Sequence, residues 1–161
     1  MASGHADSVG RPDTLSADRP WLVLYDSRCG FCKWLLAGFL RWDRAGRLRP
    51  IALQRAEAGD LLADLAPAER TATWHLISPG GTRRSGGAAI PALLRLLPGG
   101  RLGAPAFERL PGLTDRGYRW VAEHRTGLSR WVPSNAKRRA AERVRRCEHE
   151  LDPPGSPSPP V

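Results

Sequence analysis

Trp21-Leu-Val-Leu-Tyr25, then Asp26-Ser27-Arg28, then Cys29-Gly30-Phe31-Cys32, then Lys33-Trp34-Leu35-Leu36-Ala37-Gly38-Phe39-Leu40: this run decides how the chain folds. Five apolar residues ending in a turn-prone Asp-Ser-Arg read as a buried strand followed by a loop. The apolar residues after the cysteines recur at helical spacing, with Leu35, Leu36, Phe39 and Leu40 on one face. The two cysteines therefore fall at a helix start. Free backbone N–H groups and the positive end of the helix dipole meet there. A thiolate in that position is stabilised, and its pKa drops from about 8.5 into a range of about 3.5–7.5. Two thiols three residues apart on one turn are the equipment of thiol–disulfide exchange.

Outward from this unit, strands and helices alternate. The pattern predicts a helix from Phe31 to Asp43, stopped near Gly46, and a strand from Leu48 to Leu53. Pro50 marks that strand as an edge or a bend. A helix from Glu57 to Leu65 and a strand from Thr73 to Ile77 follow. Ser78-Pro-Gly-Gly81 turns the chain into a short return strand, Thr82–Arg84. Ser85 is expected to cap a helix running to Leu97, ended by Pro98-Gly-Gly100. Asp115–Arg125 reads as a helix with Tyr118, Val121 and Ala122 inward, and Ala136–Glu150 as a basic helix. The order is βαβαββα followed by more helices, an α/β layered domain whose first β–α unit needs a parallel crossover.

Length and composition set the bounds. The chain has 161 residues, 41% hydrophobic, with six tryptophans expected to lie mostly in the core. Three cysteines are too few for a secreted disulfide scaffold. Met1–Pro20 lacks the apolar core of a signal peptide, and no segment approaches the roughly 20 apolar residues of a membrane span. These features predict a cytoplasmic protein. Residues 1–20 read as a flexible leader and 152–161, rich in proline, as a disordered tail. Net charge is +9, and from Arg130 to Glu150 seven Lys/Arg face three Glu. The basic helix expected at 133–151 could contact nucleic acid or an anionic membrane. With no interleaved aromatics, a solvated helix supported by Glu142 and Arg146 is the preferred reading.

Two other readings of the cysteine pair stand beside the redox one. Both residues could simply pack a helix, or they could form a zinc knuckle completed by Cys147 and His149. No second knuckle exists and no phosphate-binding glycine loop is present, so neither a metal nor a cofactor is expected. In the redox reading Cys29 attacks and Cys32 resolves. Asp26 either takes the proton released by Cys32 or caps the loop by accepting N–H bonds near Arg28 and Cys29. Tyr25, Arg28, Phe31 and Trp34 line the site, Arg28 and Lys33 favouring the thiolate and Phe31 offering an apolar contact to substrate. His75, on a strand between Trp74 and Leu76, reads as a satisfied histidine without a catalytic partner.

With Asp26, Cys29 and Cys32 in place, the chain resembles the DCC family of thiol–disulfide oxidoreductases, named for its Asp-x-x-Cys-x-x-Cys signature. Three further segments are similar in order: Phe39–Gln54, ending in its glutamine; the serine-headed Ser85–Leu97; and Gly117–Arg125, bearing a tyrosine. The likeness covers residues 21–132 and implies a thioredoxin-like sheet flanked by helices, with extra C-terminal helices. It implies exchange with protein or small-molecule disulfides and thiols. Two departures are visible. Ser27 stands where the family usually has glycine, and Thr71-Ala-Thr73 stands before Trp74 where thioredoxins carry a cis-proline. The competing reading keeps the fold but not the chemistry: a redox-inactive module docking through its basic C-terminal helix.

Overall fold

The computed structural model describes residues 19–150. The tail expected at 152–161, and all of the expected leader but Arg19 and Pro20, lie outside the described residues. Strand β1 (Trp21–Tyr25) leads into helix α1 (Gly30–Trp42) and strand β2 (Leu48–Ala52). Then come α2 (Ala56–Leu61), α3 (Pro67–Ala72), β3 (His75–Ile77) and β4 (Arg83–Ser85). A 3₁₀ turn, Gly86–Ala89, opens into α4 (Ile90–Leu96), followed by α5 (Gly100–Arg109), α6 (Pro111–Trp131) and α7 (Ser134–Glu150).

The sheet order is β2-β1-β3-β4. β1 and β2 run parallel, with Val23 opposite Pro50, and α1 is the crossover such a pair requires. β3 is antiparallel to both β1 and β4. Pro50 sits on the edge strand, where its missing N–H costs no ladder bond to a further strand. This is an α/β domain with a thioredoxin-like sheet and added C-terminal helices.

Side chains alternate across the sheet with period two. Val23, Tyr25, Leu48 and Leu76 pack with Leu36, Leu93, Ala140 and Val144 on one face. Leu24, Ile51 and Ile77 pack with Ala58 and Leu62 on the other. Helices α1, α4 and α7 thus cover one side and α2 the other. The apolar stripe of α7 is short, yet Val144 is fully buried in the main core and Ala140 nearly so.

Several elements differ from the sequence expectation. Ser85 stands at the N-cap position of the 3₁₀ turn that opens into α4, as expected, but its side chain does not cap it: Ser85 pairs with His75 in β4, and its hydroxyl meets His75 Nδ1 at 2.7 Å. His75 is buried and also contacts the Arg70 carbonyl through Nε2 at 3.0 Å, the satisfied core role expected of it. α2 ends at Leu61, and the short α3 follows, started by Pro67 at its first turn with Glu69 accepting the Ala66 N–H. α5 was hidden by Gly99-Gly100 at its start and Pro105 inside it. α6 begins at Pro111 and runs six residues beyond the expected end at Arg125. Most tryptophans are not core residues: Trp34, Trp42, Trp120 and Trp131 are exposed, and Trp21 and Trp74 are half-buried. Leu35 is also exposed, unlike Leu36 beside it.

Two glycines bring α6 over the end of the sheet. A Cβ on Gly87 would stand 2.7 Å from the Asp115 Cα, closer than atoms of that kind approach. Gly86 has φ +57, which a side chain would strain, and it lies against the Tyr118 ring. Tyr118 is fixed in turn by a 2.6 Å hydrogen bond between its hydroxyl and Thr73 Oγ1. α6 is thereby held across the mouth of the β1–α1 junction.

Candidate functional site

The loop between β1 and α1 is built by local hydrogen bonds. Asp26 Oδ1 accepts the Arg28 N–H at 3.0 Å, and the Asp26 carbonyl accepts the Cys29 N–H at 3.3 Å. This is the side-chain turn that aspartate favours before a helix. Ser27 needs no left-handed backbone: among the described residues only glycines have positive φ. Instead its N–H and Oγ both donate to Gln54 Oε1, at 3.1 and 2.7 Å. Gln54 Nε2 donates back to Asp26 Oδ1 at 2.9 Å. Gln54, just past β2, therefore staples the loop to the sheet.

Cys29 is the N-cap of α1. Its Sγ accepts the Cys32 N–H at 3.2 Å, one of the N–H groups that has no partner within the helix. Both cysteines are half-buried free thiols. Cys29 is pulled down to about 6, first by the hydrogen bond from the Cys32 thiol, then by the Cys32 backbone N–H and the Arg125 charge. Partial burial and Asp26 oppose the shift. Cys32 moves the other way: donating to Cys29, burial and the nearby Cys29 charge all keep its proton on. At neutral pH one thiol is thus largely a thiolate and its neighbour stays protonated.

The cation that bears on both sulfurs is Arg125 of α6. Arg28, adjacent in sequence, is exposed, and its described bond is through its backbone. Arg125 has no carboxylate partner among the described residues. The signal for it was present: Tyr118, Ala122 and Arg125 share one face of a helix, spaced four and three apart.

Behind the pair lies an apolar cavity of about 200 Å³ between β1, α1, α4 and α6. Cys32, Phe31, Tyr25, Asp26 and Arg125 all line it. Phe31 also packs against Trp34, their ring centroids 5.9 Å apart, but Trp34 faces out and is absent from the cavity wall. Tyr25 donates its hydroxyl to Glu148 Oε1 of α7 at 3.1 Å, and burial followed by that carboxylate holds its proton on. A second, shallower cleft shares Thr73, Tyr118, Ala122 and Arg125 with the first.

Cys147 lies apart, on α7, where burial and Glu150 raise its pKa and Asp43 is among its neighbours. Among the described residues no three His, Cys, Asp or Glu side chains are grouped as a metal site. No helix among them is long and apolar enough to cross a membrane.

A family model for DCC1-like thiol-disulfide oxidoreductases matches residues 23–131, which hold the CxxC loop, the sheet apart from Trp21 and Leu22, and all of α6. No curated protein and no solved structure matches the chain.

Proposed function

The chain belongs to the DCC1-like thiol-disulfide oxidoreductase family, and from that premise we propose that it exchanges disulfides through Cys29 as nucleophile and Cys32 as resolving thiol. The observation that carries the reading is the asymmetry of the pair. Cys29 is held down to about 6 by a neighbouring thiol and an N–H, while Cys32 is held protonated.

The Cys29 thiolate attacks one sulfur of a substrate disulfide. A bond forms between Cys29 Sγ and that sulfur, the substrate S–S bond breaks, and the second substrate sulfur leaves as a thiolate. Cys32 then loses its proton and attacks Cys29 Sγ, releasing the first substrate sulfur. The substrate gains two electrons and two protons, and the protein is left with a Cys29–Cys32 disulfide. A dithiol reductant returns it to the starting form, and with an oxidised protein the same steps run backwards. As Cys32 Sγ deprotonates, Asp26 in the same cavity wall is the carboxylate within the site able to receive the proton. Its loop-capping bonds supply the second role, orienting the carboxylate through Arg28 and Gln54. A pair working from the dithiol state suits the cytoplasm, where thiols are kept reduced.

A trapping experiment tests the assignment. Cys32→Ser keeps the nucleophile and removes the resolving thiol, so reductant-sensitive adducts joined through Cys29 accumulate in cell extract. Cys29→Ser accumulates few. A redox-inactive docking module gives no adducts with either variant, and adduct levels no higher than those of the double variant sink the redox reading.

A further inference from the structure

Resting on the exchange reading, we propose that the cavity beside Cys32 receives one aromatic or branched aliphatic side chain of a polypeptide substrate, placed next to the cysteine that reacts with Cys29. The lining points to the chemistry. Leu35, Phe39, Trp74, Leu94, Val121 and Ala122 supply apolar wall, while the polar groups are few and include Asp26 and Arg125. Water gains little in such a space, since it needs two to four polar partners.

Size narrows the occupant. An apolar cavity of about 150 Å³ holds a benzene ring, so one of about 200 Å³ takes a single ring or a branched aliphatic side chain. Exposure agrees: Leu35 is 40% exposed although it sits on the helix face that otherwise enters the core. An apolar wall left open beside a reactive thiol is covered when a substrate side chain enters.

Position then ties the occupant to the reacting sulfur. Cys32 lines the cavity and Cys29 does not. Three residues of helix separate the two sites by about 4.5 Å along the axis. One extended residue spans about 3.3–3.6 Å, so a side chain one or two residues from the substrate cysteine reaches the cavity while its sulfur meets Cys29. Sulfur and apolar group can therefore belong to one molecule. The protein's charge of +9 and Arg125, which lacks a carboxylate partner among the described residues, favour an acidic polypeptide over a neutral one.

The test uses the full chain in its reduced form and peptides Gly-Gly-Cys-X-Gly-Gly, each in mixed disulfide with 2-mercaptoethanol, X being Gly or Phe. The measured quantity is the ratio of second-order exchange rates, Phe over Gly. A ratio of about ten is expected, a modest part of what burying one ring supplies. Filling the cavity with Ala122→Phe, or more gently with Ala122→Leu, should bring the ratio down to about two or less. A free aromatic acid, phenylpropionate, added to the Gly peptide should not raise its rate to that of the Phe peptide. Exchange with a ratio near one, or a ratio that both folded Ala122 variants leave unchanged, overturns the side-chain site and leaves the exchange reading intact. Acceleration of the Gly peptide by phenylpropionate overturns the polypeptide assignment in favour of a free ligand. Failure of Cys29 to react with either peptide overturns the exchange reading, and the side-chain site falls with it.

Discussion

Gln54 and Asp26 are joined at 2.9 Å, the amide Nε2 donating to the carboxylate oxygen that also accepts the Arg28 N–H. The contact spans 28 residues and joins the C-terminal ends of two parallel strands, so the loop carrying Cys29 is positioned by the sheet as well as by its own turn. Gln54→Ala removes this bond and both bonds to Ser27. Because Gln54 is exposed, the stability loss should stay near about 1 kcal/mol by denaturant melting. Exchange should slow by about threefold to tenfold, the range expected when a site loosens without losing a reacting group. An unchanged rate would show that the Asp26 turn holds the loop unaided.

Arg125 acts on Cys29 across the α1–α6 contact. Its charge favours the Cys29 thiolate, so Arg125→Gln should move the alkylation midpoint of Cys29 upward from about 6. The variant should alkylate more slowly at pH 6 and match the parent at pH 9, where both are thiolates. The sign extends to stability of the dithiol form. Cys29 titrates lower folded than unfolded, so its contribution is full above 9.0 and is lost as pH falls through about 6. Cys32 is raised, so its contribution is lost on the alkaline side, as pH rises past 9.0. Equal midpoints in parent and variant would remove Arg125 from the site.

Changing Asp26 should shift the two half-reactions in opposite directions. It opposes ionisation of both cysteines, while its Oδ1 serves as acceptor for the loop. Asp26→Asn keeps an acceptor and removes the charge. Cys29 should then alkylate faster at mildly acidic pH. Resolution by Cys32, followed as decay of a preformed mixed disulfide, should slow by about tenfold or more, in the range of a lost general base. A variant that speeds both steps would leave Asp26 a capping role only.

The sequence showed the β1–α1 unit, the parallel crossover, the edge position of β2 and the cysteine pair, because strong local patterns specify all of them. Tyr118, Val121 and Ala122 were also visible as an inward stripe, and they line the cavity. Gln54 and Arg125 stood within segments noticed for their likeness, but their roles depend on contacts 27 or more residues away, which no local pattern encodes. Arg28 and Lys33 were the cations nearest in sequence, whereas Arg125 is the one brought to the sulfurs by the fold. Trp34, expected at the site, stays outside the cavity and packs at a tilt against Phe31. The helical run that follows Ser85 was legible, but the capping bond was not made, because the buried His75 ring claims the Ser85 hydroxyl.

His75 should make the fold sensitive to acid. Burial lowers its pKa, and both ring nitrogens have partners, Ser85 Oγ and the Arg70 carbonyl. A histidine depressed in the folded state binds its proton more readily unfolded, so stability falls as pH drops below 6.5. Arg83 nearby adds to the depression and Asp64 opposes it. The urea midpoint should therefore decline between pH 7.5 and pH 5.5, and His75→Gln, which cannot titrate, should flatten that decline. A pH profile identical in parent and variant would assign the acid sensitivity elsewhere.

α7 looks like a solvated basic arm, yet Val144 within it is fully buried against α1 and the sheet. Val144→Ala should cost about 2 kcal/mol, the scale of deleting buried methyl groups from a packed core. A detached helix would show a change of less than about 0.5 kcal/mol, as exposed positions do. Cys147 occupies the same helix, three residues on, but it sits near Asp43 and Glu150 and lines neither cavity. Cys147→Ser should leave the exchange rate within about twofold, as expected for a substitution away from the reacting groups. The two variants together separate scaffold from chemistry: one loses stability with the pair intact, the other keeps both. A tenfold rate loss in Cys147→Ser would instead make the third thiol part of a relay with Cys29 and Cys32.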